Sequence, residues 1–399
     1  MSARYEFSRL ELAGSLGDLG TLLPLALGMI LVNGLSPLSI FFTIGVFYIL
    51  SGAYFGVTVP VQPMKVIGAY AVATGISAAQ ISASGLLLGI FLFLIGTSGA
   101  ISLVGRYTPK ATIRGVQLAT GALLMSQGVK MILGSSKFQI LQQAAEPYLS
   151  LQSIGPVPIG ILTGLTGGLL TLFFLDNKRL PAGLLVIFCG IFMGLLLGTR
   201  QGFAGLKLGL YLPSWLPVGI PSRADFTFAL FALVLPQIPM TIGNAVIANA
   251  DLSRQYFGEK SKKVTYRSLT ISMALANLMC FVWGGMPLCH GAGGLAAHYR
   301  FGARTAGSNL IIGLVFIALA LLLGNHALAT VYLLPMSILG VLLLFAGSQL
   351  AMTITDINDR KELFVVLIML GITLAANLAV GFVAGFAAAY LLKSKKLNV

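Results

Sequence analysis

Four short stretches place polar residues beside proline and glycine inside otherwise apolar runs. They are Gly17-Asp18-Leu19-Gly20-Thr21-Leu22-Leu23-Pro24, Val59-Pro60-Val61-Gln62-Pro63-Met64-Lys65, Leu235-Pro236-Gln237-Ile238-Pro239-Met240-Thr241-Ile242-Gly243-Asn244 and Gly284-Gly285-Met286-Pro287-Leu288-Cys289-His290-Gly291-Ala292-Gly293-Gly294. Their polar side chains are Asp18, Thr21, Gln62, Lys65, Gln237, Thr241, Asn244 and His290. Most are hydrogen-bond donors or neutral groups. A donor-rich set poor in carboxylates suits an oxyanion better than a cation or a neutral solute. No paired carboxylates, metal-ligand cluster or nucleophile constellation accompanies them, so an enzyme, a metal and a cofactor are not expected. No phosphate-cradling glycine loop argues for direct drive by ATP.

Proline explains how such a site is built. Pro60, Pro63 and Pro287 each remove a backbone donor and oppose a continuous helix. A helix that begins in mid-membrane aims free N–H groups and a positive dipole end at whatever lies there. Gly291, Gly293 and Gly294 let the backbone come close to a ligand. Two such half-helices facing each other make one shared anion cradle. A charge near the bilayer centre costs ~2.5–3.5 kcal/mol, so Asp18 and Lys65 need a reason to be there. Lys65 adds positive potential to the cradle. Asp18 is expected either to pair with Lys65 or to hold a co-transported cation or proton, which makes it the coupling candidate. His290, beside Pro287 and the glycines, is expected to line the site; Asn244, Asn249 and Asp251 have the alternative of serving only as polar glue and a helix end at the cytoplasmic face.

The elements that position these residues must be membrane helices. Of 399 residues 57% are hydrophobic and only 9% charged, against roughly 25% charged in soluble proteins. Mean hydropathy is +0.93. Apolar blocks approach the ~20 residues that cross ~30 Å of hydrocarbon, where only helices satisfy their own backbone. Fourteen segments are expected, at 12–32, 37–56, 60–76, 84–104, 111–133, 156–175, 181–199, 226–250, 264–284, 286–299, 306–324, 328–350, 361–372 and 373–392. The last two are either one long span or two short ones hinged near Gly371. No signal peptide is expected ahead of the first. Cys189, Cys280 and Cys289 read as small hydrophobes.

The net charge of +14 points to topology and not to nucleic acid, because the cations sit in short loops. With fourteen spans, 19 of the 25 basic residues fall on the side that holds both termini, five on the other, and Lys65 in a span. Both termini are therefore expected in the cytoplasm, in a multi-pass inner-membrane protein. Gly160/Gly164, Gly190/Gly194/Gly198 and Gly381/Gly385 allow close helix approach. The order of the four clusters repeats: Thr21 to Pro60 is 39 residues and Thr241 to Pro287 is 46. Seven spans per half is odd, so the second half is expected inverted, and matched breaks in inverted repeats point to a transporter site. The expected division is 1–199, an extracytoplasmic connection at 200–225, 226–392, and a tail at 393–399.

These motifs, with Tyr299-Arg300-Phe301-Gly302-Ala303-Arg304, resemble the molybdate-transporter family, a bacterial-type branch related to the sulfate permeases, over about residues 10–395. The resemblance implies an all-α fold of seven plus seven inverted spans. Spans 1–4 and 8–11 would form a core, and spans 5–7 and 12–14 a gate. It implies a substrate held by Thr21, Gln62, Gln237, Thr241 and the backbone around His290–Gly294, with Lys65 strengthening the field. Only Lys393–Val399 follow the last segment, so no cytoplasmic regulatory (STAS) domain is expected. The expected function is secondary active transport of molybdate, coupled to a proton or sodium gradient. Sulfate is the near alternative, since both are tetrahedral dianions. A nucleobase symporter is disfavoured, because no Glu or Asp lies between Phe226 and Ala250 or between Met286 and Tyr299. An anion channel would need a continuous path. The expected partners are the anion, a coupling ion and the lipid bilayer; tungstate as substrate, a homodimer, stoichiometry and affinity stay open.

Overall fold

The computed structural model describes residues 4–101, 107, 109–175, 177, 181–198 and 206–393. Arg106, Lys178, Arg179, Arg200, Lys395 and Lys396, which enter the charge count, lie outside these residues. The described chain is mostly helical, and local chemistry sets many helix limits. Ser36 caps Pro37–Phe55, which carries proline at its first turn, and Gly56 at φ 75° ends it. Reciprocal Ser77–Gln80 and Thr265–Ser268 caps start Ala78–Ser98 and Tyr266–Trp283. Among the described residues six helices are long and apolar enough to cross a membrane. A seventh is added if Arg9–Ser15 and Leu19–Asn33, bent by 41° at their junction, count as one span. Lys65–Thr74, Ile159–Phe174, Ala182–Leu197 and Leu378–Leu391 are shorter apolar helices.

The long helices pack in pairs: Pro37–Phe55 along Gly307–Leu323, Ala78–Ser98 along Tyr266–Trp283, and Lys110–Ile132 along Met336–Ala351. Glycine lets the last pair touch backbone to backbone. A Cβ at Gly128 would stand 2.5 Å from the carbonyl oxygen of Gly340, and one at Gly340 2.6 Å from that of Gly128. Gly121 and Gly347 repeat the contact one heptad away, at 2.6 and 2.7 Å. The glycines expected at helix contacts pack as well, Gly164 on Ile132, Gly190 on Ile338 and Gly385 on Met369. Apolar side chains such as Leu169, Phe173, Phe188 and Phe192 stand exposed on Ile159–Phe174 and Ala182–Leu197, as lipid-facing surfaces require.

Three boundaries differ from expectation. The Pro236–Asn244 stretch does not break its helix: Arg223–Ser261 runs as one 39-residue span. It absorbs Pro236 and Pro239 by π-helical turns at Ala229–Val234 and Thr241–Ala248 on either side. The final apolar stretch is two helices, Arg360–Ala375 and Leu378–Leu391, divided at Asn377 and not at Gly371. Asn377 caps the second by accepting from the Val380 N–H at 3.0 Å. The penultimate stretch is divided too, into Leu328–Val331 and Met336–Ala351 with Pro335 between. The buried Glu146 carboxylate takes the Met336 and Ser337 N–H groups at 2.8 and 2.9 Å, capping the latter helix. Residues 206–222 contain no helix and run along helix ends, bonding to Leu322, Leu321 and Val282 carbonyls through Gly209, Tyr211 and Leu216.

Candidate functional site

Two short helices begin inside the bundle. Lys65–Thr74 has 10 residues and Ala292–Arg300 has nine, about 15 Å each at 1.5 Å per residue, half a bilayer core. Each follows a two-residue strand, and the strands pair antiparallel, Gln62 opposite Cys289 and Pro63 opposite Leu288. This ladder joins the two breaks and sets the half-helix starts face to face.

Backbone left unpaired by a broken helix needs partners inside protein. Two buried asparagines supply them in matching fashion. Asn309 grips Val59 at both ends, accepting from its N–H at 3.0 Å and donating to its carbonyl at 2.7 Å. Asn277 grips Leu288 likewise, at 3.2 and 2.9 Å. Neither was singled out from the sequence. A buried asparagine in an apolar helix is itself the signal, since its amide demands partners.

Asp18 is buried at the junction of Arg9–Ser15 and Leu19–Asn33. Its Oδ1 accepts from Gln62 Nε2 at 2.7 Å. The expected pairing with Lys65 is not present: no Lys65 contact within 4.0 Å of a carboxylate occurs among the described residues. Lys65 Nζ instead reaches toward the second half-helix, 3.7 Å from where a Gly293 Cβ would be. Asp18 Oδ2 and Gln62 Oε1 are buried without partners. Both face glycine: a Cβ at Gly294 would lie 2.5 Å from Asp18 Oδ2, and one at Gly291 1.9 Å from Gln62 Oε1. These glycines are there for close approach.

The remaining expected residues divide. A cavity of about 540 Å³ opens at the half-helix starts, lined there by Thr21, Gln62, Lys65, Asn244 and Gly293, and Gln117, Gln349 and Thr353 also line it. Gln237, Thr241, His290 and Gly291 are not among its lining. Gln237 Oε1 accepts from the Val66 and Ile67 N–H groups at 3.0 and 3.3 Å, capping the first half-helix. Its Nε2 donates to Thr241 Oγ1 at 3.0 Å. His290 is wholly buried with both ring nitrogens engaged, Nδ1 on the Pro60 carbonyl at 2.8 Å and Nε2 on Ser272 Oγ at 2.9 Å. Asn249 donates to its carbonyl at 2.6 Å, and Phe47 packs on its ring at 4.6 Å. Gly291 is the residue before the second half-helix. There the N–H groups of Ala292 and Gly293 have no partner among the described residues. Gln237 thus occupies two donors of one half-helix, whereas no side chain takes the Ala292 and Gly293 donors of the other among the described residues.

A family model described as "Molybdate transporter of MFS superfamily" matches residues 10–124 and 229–350. Molybdate transporter 1 of Arabidopsis thaliana is 31% identical over 408 residues, covering 94% of this chain and 86% of that protein. Molybdate transporter 1 of Chlamydomonas reinhardtii is 29% identical, over 94% of this chain and 89% of that one. Among solved structures, the transmembrane domain of the cyanobacterial bicarbonate transporter BicA superposes with a TM-score of 0.66 at 16% identity, covering 96% of this chain and 98% of that one. SLC26A9 gives 0.68 at 15% identity, covering 96% of this chain and 65% of that one. At such identities these two show a shared fold, the SLC26-like arrangement of membrane helices. The match to the family model over both halves, with the identity to its plant members, shows that the chain belongs to the molybdate transporter family.

Proposed function

We propose that this protein carries molybdate across a membrane by holding the tetrahedral dianion between the two half-helix starts. The observation that carries this reading is the free N–H of Gly293, next to the free N–H of Ala292, in a cavity that Gly293 lines together with Thr21, Gln62, Lys65 and Asn244. An anion there meets a helix N-terminus and one ammonium group. The expected ligands Gln237, Thr241 and His290 take a different part in this reading: they hold the half-helices in register. The names of the plant and algal relatives supply molybdate as the substrate; the tetrahedral geometry alone serves sulfate equally.

The architecture behind the reading is a fourteen-span inverted repeat. Residues 1–199 and 226–392 form its halves, 200–225 the external connection and 393–399 a cytoplasmic tail. The packing pairs support it. If span n corresponds to span n + 7, exchanging the halves turns the pair Pro37–Phe55 with Gly307–Leu323 into Tyr266–Trp283 with Ala78–Ser98. Both termini lie in the cytoplasm, on the side rich in basic loops. Movement of the core against the gate, across the cavity that both line, would carry the anion from face to face. Asp18 is the coupling group, its free Oδ2 available to a proton or a sodium ion, and the carrier works alone or as a homodimer.

The test is competition uptake in proteoliposomes with molybdate, tungstate and sulfate at matched concentrations. Molybdate uptake that saturates, needs an ion gradient and falls with Gln62→Ala supports the reading. Gradient-independent, non-saturating flux would make the protein a channel, and preference for sulfate would move the substrate. Normal accumulation in Asp18→Asn would remove Asp18 from coupling.

A further inference from the structure

A second cavity, of about 580 Å³, lies away from the half-helix starts and shares no lining residue with the central one. Its wall carries five cations, Arg4, Lys260, Lys262, Lys263 and Arg304, against a single carboxylate, Glu6. None of the five comes within 4.0 Å of a carboxylate among the described residues. Like charges gathered around one hollow repel, and a bound polyanion relieves that repulsion. A topology signal needs cations in a loop, but it does not need them to converge on a cavity from three separate stretches of chain.

The cavity is built for approach. Arg4 packs beside Gly56, where a Cβ would stand in ordinary contact, 3.5 Å from Arg4 Nε. Arg4 also donates to the Ala53 carbonyl, which anchors the N-terminal stretch. Arg304 lies over the Tyr299 ring at 3.6 Å, and Tyr299 stacks on Tyr256 at 3.9 Å. Lys263 sits over Tyr54, 5.6 Å from the ring centre. Tyr54 and Leu50 are exposed on the flank of Pro37–Phe55, so the hollow borders an apolar surface of the kind that meets lipid.

We infer that this cavity is a binding site for a phosphate-bearing anion, either the headgroup of an acidic phospholipid or free inorganic phosphate. Basic hollows between membrane helices at the basic-loop face recognise such groups. The site would act on transport at a distance. Gly56 and Val57 lead into the break before Gln62, Tyr256 and Phe257 lie in the last turns of the span that carries Gln237 and Asn244, and Arg304 and Thr305 follow the second half-helix. One ligand bridging these stretches would tie together the three elements that position the central cavity.

The experiment uses the full-length protein and follows its thermal-unfolding midpoint, which rises on binding. One arm adds inorganic phosphate in detergent; the other compares nanodiscs of phosphatidylcholine with and without phosphatidylglycerol. A saturable rise is expected, with apparent affinity falling roughly tenfold or more in Lys260→Gln/Lys262→Gln and tightening in Glu6→Gln. Arg254→Gln/Arg267→Gln, an equal loss of charge on residues that do not line the cavity, should keep the response. A rise with phosphatidylglycerol alone assigns a lipid headgroup, and a rise with phosphate assigns the free ion. No rise with either probe, or an equal loss in the two double variants, overturns the site. Phosphate binding in the central cavity would survive Lys260→Gln/Lys262→Gln and is thereby told apart.

Discussion

Gln237 is the residue whose part changes most between sequence and structure. It sits among prolines in a donor-rich motif and invites assignment as a ligand, yet its carboxamide oxygen occupies the N–H groups of Val66 and Ile67. Gln237→Ala strips that cap and leaves buried donors unmade, at a cost of ~1–3 kcal/mol. The expected outcome is a lower unfolding midpoint together with weaker molybdate uptake. Gln237→Glu, which keeps the acceptor, should recover the midpoint more than the uptake, because it sets a negative charge beside an anion site. His290→Ala should act on stability in the same way, since both its ring nitrogens serve the protein. The protein that still folds should bind molybdate with near-normal affinity, measured by radiolabelled uptake against substrate concentration. Gly294→Ala pushes a methyl group to 2.5 Å from Asp18 Oδ2 and 2.7 Å from Pro60 Cβ. It should abolish uptake, while Gly371→Ala, with open space at its Cβ, should not.

At the level of elements, the half-helices were legible because proline and glycine mark them in any apolar run. The 60–63 and 284–291 breaks follow directly from lost donors. The Pro236–Asn244 stretch carries the same marks and stays helical. Proline removes a donor, but it does not say whether the chain answers by breaking or by widening a turn, and here two π-helical stretches answer. The final stretch divides at Asn377, which starts Leu378–Leu391, and not at a hinge near Gly371, since glycine in mid-helix costs only ~1 kcal/mol and asparagine offers an N-cap. The glycine seam between Lys110–Ile132 and Met336–Ala351 is a contact between distant stretches that no single-segment pattern reveals. Gly128→Leu or Gly340→Leu forces those backbones apart. Either should lower the unfolding midpoint by more than Gly168→Leu, whose Cβ meets nothing within 4 Å.

For the molecule as a whole, Gly20 and Gly183 both line the cavity and touch: a Cβ at Gly183 would lie 2.5 Å from the Gly20 Cα. Gly20 belongs to the proposed core and Gly183 to the proposed gate. Gly183→Ala sets a methyl group 2.5 Å from the Gly20 Cα and should lower molybdate uptake into proteoliposomes, while Gly168→Ala, with open space at its Cβ, should not. Unchanged uptake in Gly183→Ala would remove this contact from the movement between those two parts. The strand pair beneath the cavity has a consequence in the order of synthesis. Pro63 accepts a bond from Cys289, 226 residues later in the chain. At roughly 5–20 residues per second, the first break waits on the order of 10–45 s for the strand that completes it. Throughout that interval Val59–Lys65 sits in the membrane as an unfinished edge. Unpaired backbone in lipid needs partners in protein, so the insertion machinery or a neighbouring helix has to shelter it, and a chain halted between the two breaks keeps that edge open.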